Sequence, residues 1–130
     1  MSRDLPIPDY ARNMRIVGYC DQGGRPDGVQ IMVDGGYAYI GHMFSKGFSV
    51  IDVRDANNPR AVNFIAAPEN TWNIHLQTHD ELLLVINAKD MFAAPEFADE
   101  KAYYQSQLGS AVGTAHPTST ERNWTAGLAI

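Results

Sequence analysis

The chain has a single cysteine, Cys20, so no disulfide can form within it and the disulfide-stapled class of small secreted domains is excluded. Long apolar runs are also missing. The longest aliphatic stretch, Leu82–Ile86, is five residues, whereas a membrane-spanning helix takes about 20. The first ten residues carry none of the apolar core of a secretory leader. Cations are few: ten Lys and Arg stand against fifteen Asp and Glu, for a net charge of −5. Residues 1–65 balance at seven of each sign, while residues 66–130 hold three cations and eight anions. Nucleic-acid binding draws its affinity from clustered cations that neutralise phosphates, and the sequence has no such cluster. The expectation is a cytoplasmic chain with neither nucleic acid nor membrane as partner.

What is present is a repeat. An apolar share of 45% suffices for a packed core, and 130 residues make one small domain. Asn13–Tyr19 aligns with Asn58–Phe64 at an offset of 45, and the same offset sets Val29 over Ile74, Ile31 over Leu76, Tyr39 over Leu84 and Ile40 over Val85. Within one period, short β-branched and aromatic runs are bounded by turn residues. They predict strands at Val29–Val33, Tyr37–His42, Phe48–Val53 and Arg60–Phe64, with Asp34-Gly35-Gly36 and Ser45-Lys46-Gly47 as tight turns. Four antiparallel strands in about 45 residues is the period of a β-propeller blade. The second period keeps step to Asn87. Gly127–Ile130 then matches Gly47–Val50 at an offset of 80, which implies an insertion of 35 residues.

The resulting expectation is an all-β, partial propeller over residues 1–130: a leading outer strand at 13–19, a first blade at 29–64, and an unfinished second blade at 73–130 interrupted by an insertion at 88–123. Two blades cannot close a ring, so this reading takes the chain as the N-terminal piece of a longer protein. Within the insertion, Pro95 suits a first helical turn, Glu96, Asp99 and Glu100 suit its positive end, and Gly109 suits a stop. A helix over 95–108 is predicted, with Phe97, Tyr104 and Leu108 near one face. A polar segment, Gly109–Glu121, follows. The insertion reads either as a lid over a central cavity or as packing against the ring or a partner subunit.

The stretch Gly36-Tyr37-Ala38-Tyr39-Ile40-Gly41, followed by Gly47-Phe48-Ser49-Val50-Ile51-Asp52-Val53 and the Asp55-Ala56-Asn57-Asn58-Pro59 corner, closely resembles the LVIVD repeat of bacterial and archaeal β-propeller proteins. The resemblance covers residues 13–64 and, more loosely, 73–87. It implies the fold and no particular reaction. Asp52 and Asp55 have a structural account, as acceptors for unpaired N–H groups at the corner.

Alternation of strands gathers the long connections at one end: Asp21–Asp27, His42–Lys46, Ala66–Trp72 and the insertion. Loops on a rigid scaffold carry most binding and catalysis. The candidates at that end are His42 and His75, as acid, base or ligands of a divalent metal, with Arg25, Trp72, Asn87, Lys89 and Asp90 as substrate contacts. His79 and His116 read as solvated. Other motifs fail: Asp21–Gly28 lacks the Gly-Lys-Ser/Thr of a phosphate loop, and no Gly-x-Ser-x-Gly elbow occurs. Two functions follow as expectations. One is a small-molecule site with a divalent metal and hydrolase or oxidase chemistry. The other is a non-catalytic scaffold that docks a protein partner.

Overall fold

The computed structural model describes residues 5–93, 95–108 and 127–130. Gly35 and Gly36, with φ of 56° and 84°, form the two-residue turn whose left-handed backbone suits the twist of a hairpin. The turn joins β1 (Gly28–Asp34) to β2 (Tyr37–His42). The Met43–Lys46 turn leads to β3 (Gly47–Asp52), and the Asp55–Pro59 corner to β4 (Arg60–Ala66). The four strands form one antiparallel sheet in chain order. At the corner, the Asp52 carboxylate accepts the Arg54 N–H and Asp55 accepts the Asn57 N–H, at 3.1 and 3.0 Å. Hydrogen bonds from the Arg54 side chain and backbone hold the Asp52 carboxyl well below the usual carboxylate range.

The second sheet holds β6 (Leu76–His79), β7 (Leu82–Lys89) and β8 (Gly127–Ala129), all antiparallel, with β5 (Thr71–Trp72) pairing the end of β7. It repeats the register of the first. Ile31 pairs Ile40 and Ile40 pairs Ser49; correspondingly, Leu76 pairs Val85 and Val85 pairs Ala129. The offsets of 45 and 80 therefore hold at the level of individual ladder partners. Two differences from expectation stand out. β7 continues through Ala88 and Lys89, which the repeat assigns to the insertion, because Trp72 and Thr71 offer them a ladder. Residues 14–20 form no strand: the chain runs past the corner with Gly18 against the Ala56 carbonyl, and it borrows no edge from β1 or β4.

Cross-strand partners share a face. One face of the first sheet carries Ala38, Ile40 and Ile51, buried together with Cys20 and Val53. The other face lies on the second sheet, β1 and β2 against β6. Gln30 Oε1 accepts the Leu76 N–H at 2.9 Å, and Gly41 sits against the Asn73 carbonyl and Ile74. A Cβ at position 41 would lie 2.2 Å from the Asn73 oxygen. Gly41→Ala is therefore expected to push the sheets apart and cost about 2 kcal/mol, an overpacking penalty, read as a lowered denaturation midpoint with unchanged far-UV circular dichroism.

The helix emerges as predicted. A 3-10 turn at Met91–Ala93 and another at Pro95–Phe97 lead into α1 (Ala98–Leu108), whose first turn carries Asp99 and Glu100. No helix among the described residues is long and apolar enough to cross a membrane. The Gly109–Glu121 segment, His116 and the far part of the insertion lie outside the described residues.

Candidate functional site

The connections expected at one end do meet there. Asp27 precedes β1, His42 ends β2, Ser45 lies in the turn beyond it and Ser49 is in β3. His42 Nδ1 is 3.0 Å from Asp27 Oδ1, and His42 Nε2 is 2.8 Å from Ser49 Oγ. Asp27 also accepts the Ser45 N–H at 2.6 Å and its hydroxyl at 2.7 Å. Burial pushes the Asp27 carboxyl up, but hydrogen bonds from His42 and Ser45 outweigh it and hold the group at about 2. An ionised carboxylate only accepts, so Nδ1 carries the proton toward Asp27. In the neutral ring Nε2 then accepts from the Ser49 hydroxyl.

Asp, His and Ser in this order match the hydrogen-bond chain of a hydrolytic triad. Accessibility decides otherwise. His42 is 0% exposed and Ser49 is 1% exposed, inside β3 between Ile40 and Phe64. A nucleophile must reach a substrate carbonyl beside oxyanion donors, and a hydroxyl closed in by ladder neighbours reaches neither. What the chain of bonds does is fasten the loop before β1 to the β2–β3 hairpin.

A second set of contacts ties the insertion to the same hairpin. Lys46 and Asp90 form a buried ion pair. Burial pushes the Lys46 ammonium below the usual lysine range, against the opposing pull of the Asp90 carboxylate. Asp90 Oδ1 also accepts the Phe92 N–H at 2.9 Å, and the Asp90 N–H donates to the Asn70 carbonyl at 2.9 Å. Beside them Phe92 stacks on Phe44 at 5.5 Å between centroids and lies perpendicular to the Trp72 ring, also at 5.5 Å. Phe97 packs on this cluster, and the Tyr104 ring, 5.8 Å from Phe92, lies at its margin and stays exposed on its other side.

No family model, curated protein or solved structure matches the chain. Function must be read from the placement of the candidates themselves. Trp72 is buried, perpendicular to the Phe92 ring, instead of standing at the rim. Arg25 lays its guanidinium over the Phe64 ring at 3.8 Å, a cation–π contact that leaves it folded onto the sheet. Asn87 accepts from Asn73 Nδ2 at 2.7 Å. Asp90 is committed to Lys46. Lys89 is exposed at the end of β7. His75 is exposed before β6, its Nδ1 3.3 Å from Gln30 Oε1. His42 has both ring nitrogens engaged within the chain, and among the described residues no three His, Cys, Asp or Glu side chains converge as a metal ion requires.

Sequence reasoning named His42 but missed its partners Asp27 and Ser49. A usable signal existed. Ser49 opposes Ile40 on the buried face of β3, and a buried hydroxyl needs a partner. The repeat offers another: positions 27, 42 and 45 correspond to 72, 87 and 90, and 49 to 129, so Asp, His, Ser and Ser in the first sheet become Trp, Asn, Asp and Ala in the second. The second sheet has exchanged a polar clasp for an aromatic anchor plus an Asn73–Asn87 bond.

Proposed function

We propose that the two sheets are successive blades of an LVIVD-type β-propeller, and that the loop-rich end is a rigid platform for docking another protein. The observation that carries the reading is the internal engagement of that end. Asp27, His42, Ser49 and Asp90 are buried and hydrogen-bonded to one another or to neighbouring chain, so the polar groups there hold loops in place. Outward, the anchored insertion offers Met91, Tyr103 and Tyr104, an apolar and aromatic surface of the composition common at protein interfaces. The repeated register at blade length supports the propeller part. The rival reading, a small-molecule site with a divalent metal at His42 and His75, would have to break the Asp27–His42–Ser49 chain to free a ligand.

A photoreactive phenylalanine analogue at position 103, introduced in the native cells, tests the proposal against the same analogue at Asp55 on the opposite end. Discrete crosslinked species are expected from position 103 and none from 55. Equal labelling from both overturns it. So does stoichiometric divalent metal in the purified protein that disappears in a His42→Ala, His75→Ala variant.

A further inference from the structure

Helix α1 sorts its charges by side. Phe97 and Tyr104 mark the side that meets the sheets. Lys101, the one cation of the helix, falls between them at helical spacing and is half-buried, close enough to the Lys46 ammonium to repel it. Asp99, Glu100 and Tyr103 are exposed, and neither carboxylate has a partner among the described residues. Helical spacing sets Asp99 one turn before Tyr103, and Glu100 one turn before both Tyr103 and Tyr104. The flank so formed carries two carboxylates and two tyrosine rings, the rings 5.3 Å apart and inclined at 76°. Tyr103 is 61% exposed and Tyr104 43%. The positive end of the helix accounts for the sign of Asp99 and Glu100. It does not account for two phenol rings left open beside them.

The molecule itself shows what such a set of groups takes. At the corner before β4, the Arg54 guanidinium lies 5.3 Å from the centre of the Tyr37 ring while giving the Asp52 carboxylate two hydrogen bonds, at 3.0 and 2.6 Å. The flank of α1 presents the aromatic and carboxylate parts of that arrangement with no arginine in place among the described residues. We propose that it binds an arginine-bearing segment of the partner protein, the guanidinium stacking on the tyrosine rings and pairing with Asp99 and Glu100. Arginine suits the seat better than lysine, because its planar, weakly hydrated head stacks and pairs at once. Charge favours a basic partner from a distance as well, since residues 66–130 hold three cations against eight anions. The contacts of Phe97 and Tyr104 hold the helix in place beforehand, so little ordering is left to oppose binding. The inference rests on the reading of the loop-rich end as a docking platform and names the chemistry of what docks.

The test places the photoreactive phenylalanine analogue at the exposed Ala102, beside the flank, so that both tyrosines stay intact in the native cells. The crosslinked partner peptide, sequenced by mass spectrometry, should carry an arginine at the attachment site, and replacing that arginine by glutamine in the partner should abolish the crosslink. Asp99→Arg with Glu100→Arg should cut the yield about tenfold or more, because a like charge then faces the arginine. Tyr103→Leu should cut it about fivefold by removing a π face, while Tyr103→Phe restores it. Asp80→Arg, at an exposed position in the β6–β7 turn, controls for net charge and should change nothing. All these side chains are exposed, so the fold should persist, checked by unchanged circular dichroism. Crosslinks that survive both the charge reversal and Tyr103→Leu, or a captured peptide without arginine, overturn the inference and leave the platform standing. Absence of any discrete crosslink from 102 and 103 alike removes the platform and the inference together.

Discussion

His42→Ala should cost about 3 kcal/mol of folding free energy, the penalty of removing one partner from a buried, charge-assisted pair, and lower the thermal midpoint by on the order of 10 °C. The reason lies in what remains behind. Asp27, whose side chain is 0% exposed, would keep its charge and its two bonds from Ser45 but lose the imidazole donor. Ser49 would lose its partner inside the sheet, and a void would open beside Phe64, whose ring is 6.0 Å from that of His42. Ser49→Ala removes a neutral bond only and should cost about 1 kcal/mol. pH separates the charge from the packing. The folded Asp27 carboxyl is held at about 2, below its ordinary 3.8. A depressed carboxyl pKa means that folding favours the ionised form. The contribution is therefore complete above about pH 4 and is lost as pH falls toward 2. In chemical denaturation, the stability gap between wild type and Asp27→Asn should be constant near neutrality and narrow across that window. A gap independent of pH would show that the carboxylate is not what the clasp depends on.

The parts of the fold legible in the sequence are those set by local chemistry. The strands of the first sheet fell within two residues of expectation because alternating Tyr, Ile and Val runs are fenced by Asp-Gly-Gly and Ser-Lys-Gly, and positive φ at Gly35, Gly36 and Lys46 is what those turns need. The helix at 95–108 announced itself through Pro95 and the acidic residues after it. The repeat carried this local information across 45 residues, so that even the pairing of β8 with β7 could be anticipated despite the intervening insertion. Residues 13–19 show where such reasoning stops. They resemble β4 in sequence, but a strand also needs a neighbouring edge, and propensity cannot supply one. The clasp was hidden for a related reason. His42 lies 15 residues from Asp27 and Lys46 lies 44 from Asp90, so each meeting depends on which loops the sheets bring to one end. Trp72 misled in the opposite direction. Its two-residue strand is too short to register as one, and a tryptophan in a connection reads as a rim contact, whereas the Phe44–Phe92 stack buries it.

Phe92→Ala should be comparably severe, at about 3 to 4 kcal/mol, the range for truncating a buried phenylalanine, and its effect should be uneven along the chain. Phe92 is the central ring of the contact between the insertion and the sheets: it touches Phe44 from the β2–β3 turn, Trp72 from β5 and Tyr104 from α1. The first sheet has its own core around Ala38, Ile40 and Ile51, which shares none of these contacts. Loss of the phenyl ring should therefore loosen the insertion before it melts the first sheet. Hydrogen exchange is expected to accelerate over residues 91–108 while amides of β2 and β3 keep their protection. Emission from Trp72, isolated by Trp124→Phe, should shift to the red as water enters. Lys46→Met tests the polar half of the same attachment, since it removes the ammonium and leaves the buried Asp90 carboxylate, among the described residues, with the Phe92 N–H as its donor. The pattern also decides between the two roles of the insertion. A lid that opens freely would already exchange fast over 91–108 in the wild type, and Phe92→Ala would change little there. Slow exchange in the wild type, abolished by removal of one ring, would mean that the segment is a fixed wall of the loop-rich end, as a platform requires.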